Sequence, residues 1–407
     1  MSESNKPKIA VMLSRFPYPL EKGDKLRAFY QIKELSAFFS IELICISEHN
    51  PTPASLSEVN KYCSQCTVYT IPKWKSWLSS LLALVTGKPL QTAYFYSRKI
   101  QKKIDFQLKT IQPTHIFCQL IRVSDYVKNY HFCPKTLDYM DAFSAGIERR
   151  IAIEPFYLKW LFKMEANRLR EYERQVYDYF EFHTIISEQD EKLLGTSPTQ
   201  KVVCIPNGVS PYFFETMTKA QIDYDLVFVG NLNYPPNVQA VKFVVNEILP
   251  EAKKRGLNLS FLAAGADPAK LLFQLQNKET PFDILPNPTD IRVAYRKGRV
   301  FVAPMKIGTG LQNKLLESMA MGIPSITSQL ANNALQAVEN ESILIADTAS
   351  EFVEKILELN DENKYQEISR ECQSYIRQNF DWTNVTKPII ESIKKSKKMR
   401  LKKTKKK

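Results

Sequence analysis

No run of about 20 apolar residues occurs anywhere in the 407-residue chain, so a bilayer-spanning helix is not expected. The opening residues Met1 to Lys8 lead straight into the apolar stretch Ile9 to Leu13, which is too short for the core of a secretory signal. Cysteine is sparse and odd in number: seven residues without a repeated framework fit a reducing cytoplasm rather than a disulfide-stapled secreted fold. Cys63-Ser-Gln-Cys66 is the only CxxC, and without a second pair nearby it reads as two free thiols ahead of a structural zinc site. Histidine is scarcer still, four residues, none of them in a recognisable catalytic motif.

Acidic residues are missing from the end of the chain. Lys394 to Lys407 holds ten Lys/Arg and no acid, so of the net charge of +13 only +3 is left for the remainder. That nearly balanced body shows no basic, aromatic-studded surface, and nucleic acid is not an expected partner. The tail, residues 396–407, is expected to be disordered and drawn to an anionic membrane surface, where each basic residue contributes on the order of 1 kcal/mol. A merely solubilising tail is the alternative. A chain of 407 residues exceeds what one hydrophobic core usually serves, which points to two domains of about 200 residues.

What the sequence does contain is centred on Arg299 to Pro324. Val300 to Ala303 is short and apolar, as a parallel strand covered on both faces should be, and Pro304 ends its pairing. Gly308 and Gly310 allow a tight turn that brings backbone N–H groups near a bound anion. From Leu311 the pattern is helical until Gly322, placed for a left-handed C-terminal cap, with Pro324 preventing continuation. Lys314 and Glu317, three apart, share one face near the N-terminus of this helix. An exposed ion pair is the bland reading of those two. The preceding glycine loop favours another: a cation beside phosphates and a carboxylate accepting ribose hydroxyls.

The string Gly310-Leu-Gln-Asn-Lys-Leu-Leu-Glu-Ser-Met-Ala-Met-Gly-Ile-Pro324 resembles the donor-site motif of GT-B glycosyltransferases of family 4, most of all the sugar-transferase branch associated with exopolysaccharide and exosortase (PEP-CTERM) systems. The resemblance extends from Arg15 to about Trp382. It implies an α/β fold of two doubly wound Rossmann-like domains facing each other across a cleft, with a C-terminal helix crossing back to the first. The expected boundaries are 1–205 for the acceptor-side domain, 206–379 for the nucleotide-sugar domain and 380–395 for the crossover helix. Ile205-Pro-Asn-Gly-Val209 matches the family's entry to the second domain, and Phe380-Asp-Trp382 its closing segment.

Several further positions carry the resemblance. Lys8 to Ser14 reads as the first strand, followed by a loop and a helix from about Leu26; Gly23 in that loop matches the glycine that faces the donor phosphates, with Lys25 and Arg27 as nearby cations. Asp138-Tyr-Met-Asp141 resembles the family's Asp-x-x-Asp element, and Asp141 is the candidate to orient or deprotonate an acceptor hydroxyl; capping of the following turn is its structural alternative. This is not the Asp-x-Asp metal motif of the other glycosyltransferase fold, so no catalytic metal is expected. Gly230 ends the first strand of the second domain, where the family approaches the phosphates. Trp74 to Val85, with two tryptophans and flanking lysines, either lies in a membrane interface or packs on its own domain.

Three departures qualify the match. Asn231 and Asn237 stand where many relatives carry arginine and lysine, which throws the diphosphate role onto Lys314, the helix amides or Lys306. Thr309 occupies the place of the earlier carboxylate of the paired-Glu motif. Pro286 removes an amide donor that relatives supply with glycine. Asp290 reads as a helix cap rather than a ligand.

The resemblance therefore implies a retaining, metal-independent, nucleotide-sugar-dependent hexosyltransferase acting on a glycan or lipid-linked acceptor in cell-surface polysaccharide biosynthesis, cytoplasmic and peripheral on the membrane. No cofactor is expected beyond the nucleotide-sugar donor, which is a substrate. Asp141, Lys314 and Glu317 are the catalytic candidates. Gly23, Gly230, Lys306, Gly308, Thr309 and Gly310, with Lys314 and Glu317, are the donor-binding ones. The alternative is a catalytically degenerate GT-B subunit that binds nucleotide or acts as a scaffold.

Overall fold

The computed structural model describes residues 6–20, 22–151, 155–195, 199–215, 221–276, 281–307 and 310–404. The chain forms two compact units: Met1–Asn207 together with Val385–Lys407, and Gly208–Asn384.

In the first unit seven strands make one sheet: β1 (Lys8–Leu13), β2 (Ser40–Ser47), β3 (Gln65–Thr70), β4 (His115–Gln119), β5 (Lys135–Met140), β6 (Phe182–Ile185) and β7 (Val203–Cys204). They lie in the order β3-β2-β1-β4-β5-β6-β7, all parallel, with Ile9 opposite both Ile41 and His115. The second unit has six: β8 (Tyr224–Val229), β9 (Phe261–Gly265), β10 (Phe282–Pro286), β11 (Gly298–Ala303), β12 (Ser325–Thr327) and β13 (Leu344–Ile345). Their order is β10-β9-β8-β11-β12-β13, again all parallel. The apolar runs Ile9 to Leu13 and Val300 to Ala303 are buried along their whole length, because in a parallel sheet helices cover both faces.

Strand order reverses between β1 and β4 and again between β8 and β11. Loops leaving the carboxyl ends of such neighbours run to opposite faces and leave a crevice, which is where open α/β sheets bind ligands.

Element ends differ from the sequence expectations in instructive ways. The helix Gly23–Ser36 starts before Leu26, with Asp24 in its first turn complementing the positive end of the helix and Leu26 N–H bonded to Lys22 C=O. Gly23 is therefore a helical residue rather than a loop hinge. The helix expected from Leu311 spans Asn313–Ala320 with Gln312 as its N-cap, and Gly322 takes the left-handed conformation at φ +70° as anticipated. The helix Trp382–Thr404 runs past Lys395 through most of the segment expected to be disordered. Lysine, arginine, methionine and leucine are good helix formers, and an established helix extends into them without a new nucleation cost. Residues 405–407 lie outside the described residues.

The helix Lys73–Thr86 turns Ser76 and Ala83 inward and leaves both tryptophans exposed. Among the described residues no helix is long and apolar enough to cross a membrane. All seven cysteines are free thiols.

Candidate functional site

In the second unit the switch point is lined by Gly230, just past β8, and by the segment that leaves β11 for the helix Asn313–Ala320. A Cβ on Gly230 would stand 2.9 Å from Asn237 Nδ2 and 3.4 Å from Lys314 Cε, so glycine here leaves the room that the lysine occupies. Gly265, ending β9 at φ +143°, approaches so closely that its Cβ would fall 1.8 Å from the Gly230 carbonyl oxygen.

The Lys314 ammonium donates to Gln312 Oε1 at 2.7 Å, contacts Met305 Sδ at 3.8 Å and lies 5.6 Å from the Phe228 ring centroid. Among the described residues no carboxylate pairs with it, so the exposed ion-pair reading fails. Burial lowers its pKa to about 8. Glu317 accepts the Tyr295 hydroxyl at 2.7 Å, and burial pushes its carboxyl up to about 7 against the opposing pull of Tyr295 and Lys314. Tyr295 is fully buried, edge-on to Phe213 and tilted against Phe301, and its hydroxyl also reaches the Lys314 carbonyl at 3.3 Å. It is carried by the helix Ile291–Arg296, which Asp290 caps by accepting Arg292 N–H at 2.9 Å.

Gln312 gives the helix Asn313–Ala320 no side-chain cap. Its first amides and the Lys314 ammonium together form an electropositive end fitted to an anion. Gly310 belongs to this approach, its carbonyl accepting Gln312 Nε2 at 2.8 Å. Gly308 and Thr309 lie outside the described residues. Lys306 is not brought to the group: its ammonium stacks over Phe243, 3.7 Å from the ring centroid.

Asn231 is occupied within its own loop, accepting Asn233 N–H at 2.9 Å through Oδ1 and Asn237 Nδ2 at 2.8 Å through its carbonyl. Buried Asn237 Oδ1 has no hydrogen-bond partner among the described residues. Pro286 closes the edge strand β10, where a missing N–H costs no sheet bond.

In the first unit Gly23 and Asp141 flank the ends of β1 and β5; a Cβ on Gly23 would meet Met140 Cε at an ordinary 3.6 Å. The two aspartates of Asp-x-x-Asp have separate fates. Asp138 is fully buried and takes Arg27 Nε at 2.7 Å, Arg27 Nη2 at 3.1 Å and Thr184 Oγ1 at 2.9 Å. Arg27 also donates to Ile205 C=O at 2.8 Å and to Asn207 Oδ1 at 3.2 Å, so it is not the phosphate-facing cation expected from sequence. Met140, at φ +64°, swings the chain so that Asp141 meets solvent. The protein crowded around that carboxyl, and then the charge of Asp190, raise it to about 6.

A cavity of about 360 Å³ opens beside β1 and β2, lined among others by Arg15, Tyr18, Lys22, Lys25 and His49. Burial holds His115 and His183 neutral, at about 3 and about 4.

Sequence reasoning missed Tyr295, for which no local pattern exists, and the Arg27–Asp138 pair. For Arg27 a signal was present: it shares one face with Gln31 and Leu35, at i, i+4 and i+8 of an inward stripe.

Residues 223–362 match the family model described as Glycosyl transferases group 1. The chain is 22% identical over 412 residues to an "Uncharacterized 44.6 kDa protein in cps region" of Klebsiella pneumoniae, with 95% of this chain and 98% of that protein covered. Among solved structures, sucrose-phosphate synthase from Thermosynechococcus elongatus is similar at TM-score 0.65 and 13% identity, covering 96% of this chain and 99% of that one. Anabaena HepE, solved in complex with UDP, is similar at TM-score 0.64 and 12% identity, covering 95% and 100%. The fold is GT-B, and the stretch matched by the group 1 glycosyltransferase model lies within its second unit.

Proposed function

We propose that this chain is a retaining, metal-independent glycosyltransferase of family 4, in the branch associated with exopolysaccharide and exosortase systems. It moves a hexosyl group from a nucleotide-sugar donor to a glycan or lipid-linked acceptor in cell-surface polysaccharide biosynthesis. The relative from a cps region and the UDP complex of HepE support the pathway and the donor class. One observation carries the reading: an ammonium without a carboxylate partner among the described residues, set at an uncapped helix N-terminus on the switch point of the second sheet.

Breaking the bond between sugar C1 and the phosphate oxygen leaves its electron pair on the departing diphosphate, while the ring gains positive character. Lys314 and the first amides of the 313–320 helix stabilise that growing negative charge, an effect worth several kcal/mol where donors are pre-aimed. Glu317, one oxygen fixed by Tyr295, accepts the ribose hydroxyls. The acceptor oxygen forms the new bond to C1 and yields its proton to the departing diphosphate, with Asp141 orienting the hydroxyl. The cations lining the first-unit cavity suit an acceptor bearing phosphate. The basic run 394–407 draws the cytoplasmic enzyme to an anionic membrane surface.

A second reading, a nucleotide-binding subunit without turnover, is favoured by Asn231, whose side chain is tied into its own loop. Thermal-shift screening of nucleotide sugars, followed by a diphosphate-release assay with candidate acceptors, separates the two. A matching donor stabilises the fold by mass action, about 2.7 kcal/mol at a hundredfold excess over Kd. The transferase releases diphosphate only when acceptor is present. Binding without release under every acceptor selects the second reading, and no stabilisation by any donor contradicts both.

A further inference from the structure

Among the described residues the Lys314 ammonium has one oxygen on it, and that oxygen belongs to Gln312. Oε1 accepts the ammonium at 2.7 Å, while Nε2 of the same carboxamide donates to the Gly310 carbonyl at 2.8 Å. Those two contacts fix which way the amide points: turned over, it would set a donor against the ammonium and an acceptor against the carbonyl. Gln312 is also the N-cap residue of the 313–320 helix. Its carbonyl accepts Leu315 N–H at 3.0 Å, yet its side chain caps none of the helix amides. A serine or aspartate in that place would close on the first turn, whereas glutamine reaches past it to the ammonium.

The other surroundings of the ammonium are apolar or neutral. Met305 Sδ lies 3.8 Å away and the Phe228 ring centroid 5.6 Å, and Gly230 and Asn237 beside it are uncharged. Its titratable neighbours are Glu317 on the same helix and Tyr295, which binds both Glu317 and the Lys314 carbonyl from the 291–296 helix. The turn Pro211–Phe214 sets Phe213 against Tyr295, and the helix Glu362–Asn379 meets the far end of the 313–320 helix, at Met319, Ala320 and Gly322. A buried cation in such company needs an acceptor. The one it has is carried by a half-buried side chain at the mouth of the helix.

We propose that Gln312 is a positioning residue for the donor: its Oε1 occupies the place of a diphosphate oxygen on Lys314, and the arriving diphosphate displaces it. A phosphate oxygen carries formal charge and is the stronger acceptor, so the exchange runs towards the ligand. A nucleoside without phosphate has nothing to exchange. Gln312 thereby keeps the ammonium charged and aimed at the helix N-terminus until an oxyanion takes it over. The inference rests on the donor site proposed above and adds to it a residue that acts through Lys314.

Calorimetric titration of UDP and of uridine into wild type, Gln312→Leu and Gln312→Glu, from about pH 6 to about pH 9, tests the exchange. Gln312→Leu removes the competing oxygen. It should bind UDP about threefold or more tightly than wild type at about pH 6, with the gain vanishing by about pH 9, where the neutral amine no longer holds the carboxamide firmly. Gln312→Glu sets a carboxylate on the ammonium and in the path of the diphosphate, so UDP affinity should fall about tenfold or more at about pH 8. Uridine affinity should agree within about twofold in all three proteins, since no phosphate oxygen enters the exchange.

Equal or weaker UDP binding by Gln312→Leu at about pH 6, a gain of the same size at about pH 9, or uridine responding as UDP does would each overturn the proposal, because loss of packing alone acts alike at every pH and on both ligands. Those results leave the Lys314 assignment standing as long as wild type binds UDP and Lys314→Ala weakens that binding. Absence of UDP binding in wild type would instead remove the functional reading, and this inference with it.

Discussion

Lys314 and Glu317 are both half-buried and shifted in opposite directions, one ammonium down to about 8 and one carboxyl up to about 7. Charged lysine and charged glutamate coexist best between those values, so UDP affinity should peak between about pH 7 and 8 when measured by calorimetry. Lys314→Met should remove the alkaline limb. Tyr295→Phe takes away a hydrogen bond that favours the carboxylate; UDP affinity should fall about five- to tenfold and the acid limb move to higher pH, a displacement that loss of packing alone would not produce. Stability reports the same group independently. Because the folded carboxyl holds its proton above its ordinary 4.5, the unfolded chain releases that proton first, and stability falls as pH rises from about 4.5 through about 7. Glu317→Gln should therefore raise the melting temperature at pH 8 and leave it unchanged at pH 4; an equal rise at both would contradict the assignment. Lys314 and Glu317 were legible because they follow a glycine loop at helical spacing. Tyr295 was not, since only tertiary packing delivers it to Glu317 from the preceding helix. Arg27 was expected as a cation near the donor phosphates because sequence shows charge but not the buried Asp138 that it pairs with.

At the scale of elements, close approach of β8 and β9 shapes the proposed donor site. Gly265→Ala would push a methyl group into the Gly230 carbonyl and also strain φ +143°, so the variant should lose UDP binding and unfold at markedly lower urea than wild type. Wild-type behaviour would mean the two strand ends part without consequence. The buried ion pair makes a matching prediction for the first unit: Arg27→Met leaves Asp138 uncompensated and should cost about 3–5 kcal/mol in urea unfolding, with part of it recovered by adding Asp138→Asn. Parallel strands such as Val300 to Ala303 were readable as short apolar runs. Helix ends were less so, because Gly23 and Leu311 sit where the polar context of the first turn, not hydrophobic spacing, decides where the helix begins. The stripe of the 73–86 helix was visible as periodicity, but its direction was not: a spacing of apolar residues does not say whether they face in or out.

For the whole molecule, length pointed to two domains and the resemblance from Arg15 to about Trp382 implied that both are doubly wound, while the helical state of 396–404 did not follow, because composition reports charge repulsion more loudly than helix propensity. Deleting residues 394–407 takes the net charge from +13 to +3. The truncated chain should lose the salt-sensitive part of its vesicle binding in sedimentation assays and keep its UDP affinity within about twofold. The claim on which everything else turns is that the 313–320 helix receives a diphosphate beside Lys314. Calorimetric titration of UDP into wild type and Lys314→Ala decides it: binding should be saturable in wild type and about tenfold or more weaker in the variant, in line with the loss of a charge-assisted contact, whereas equal affinity in the two proteins would rule that placement out.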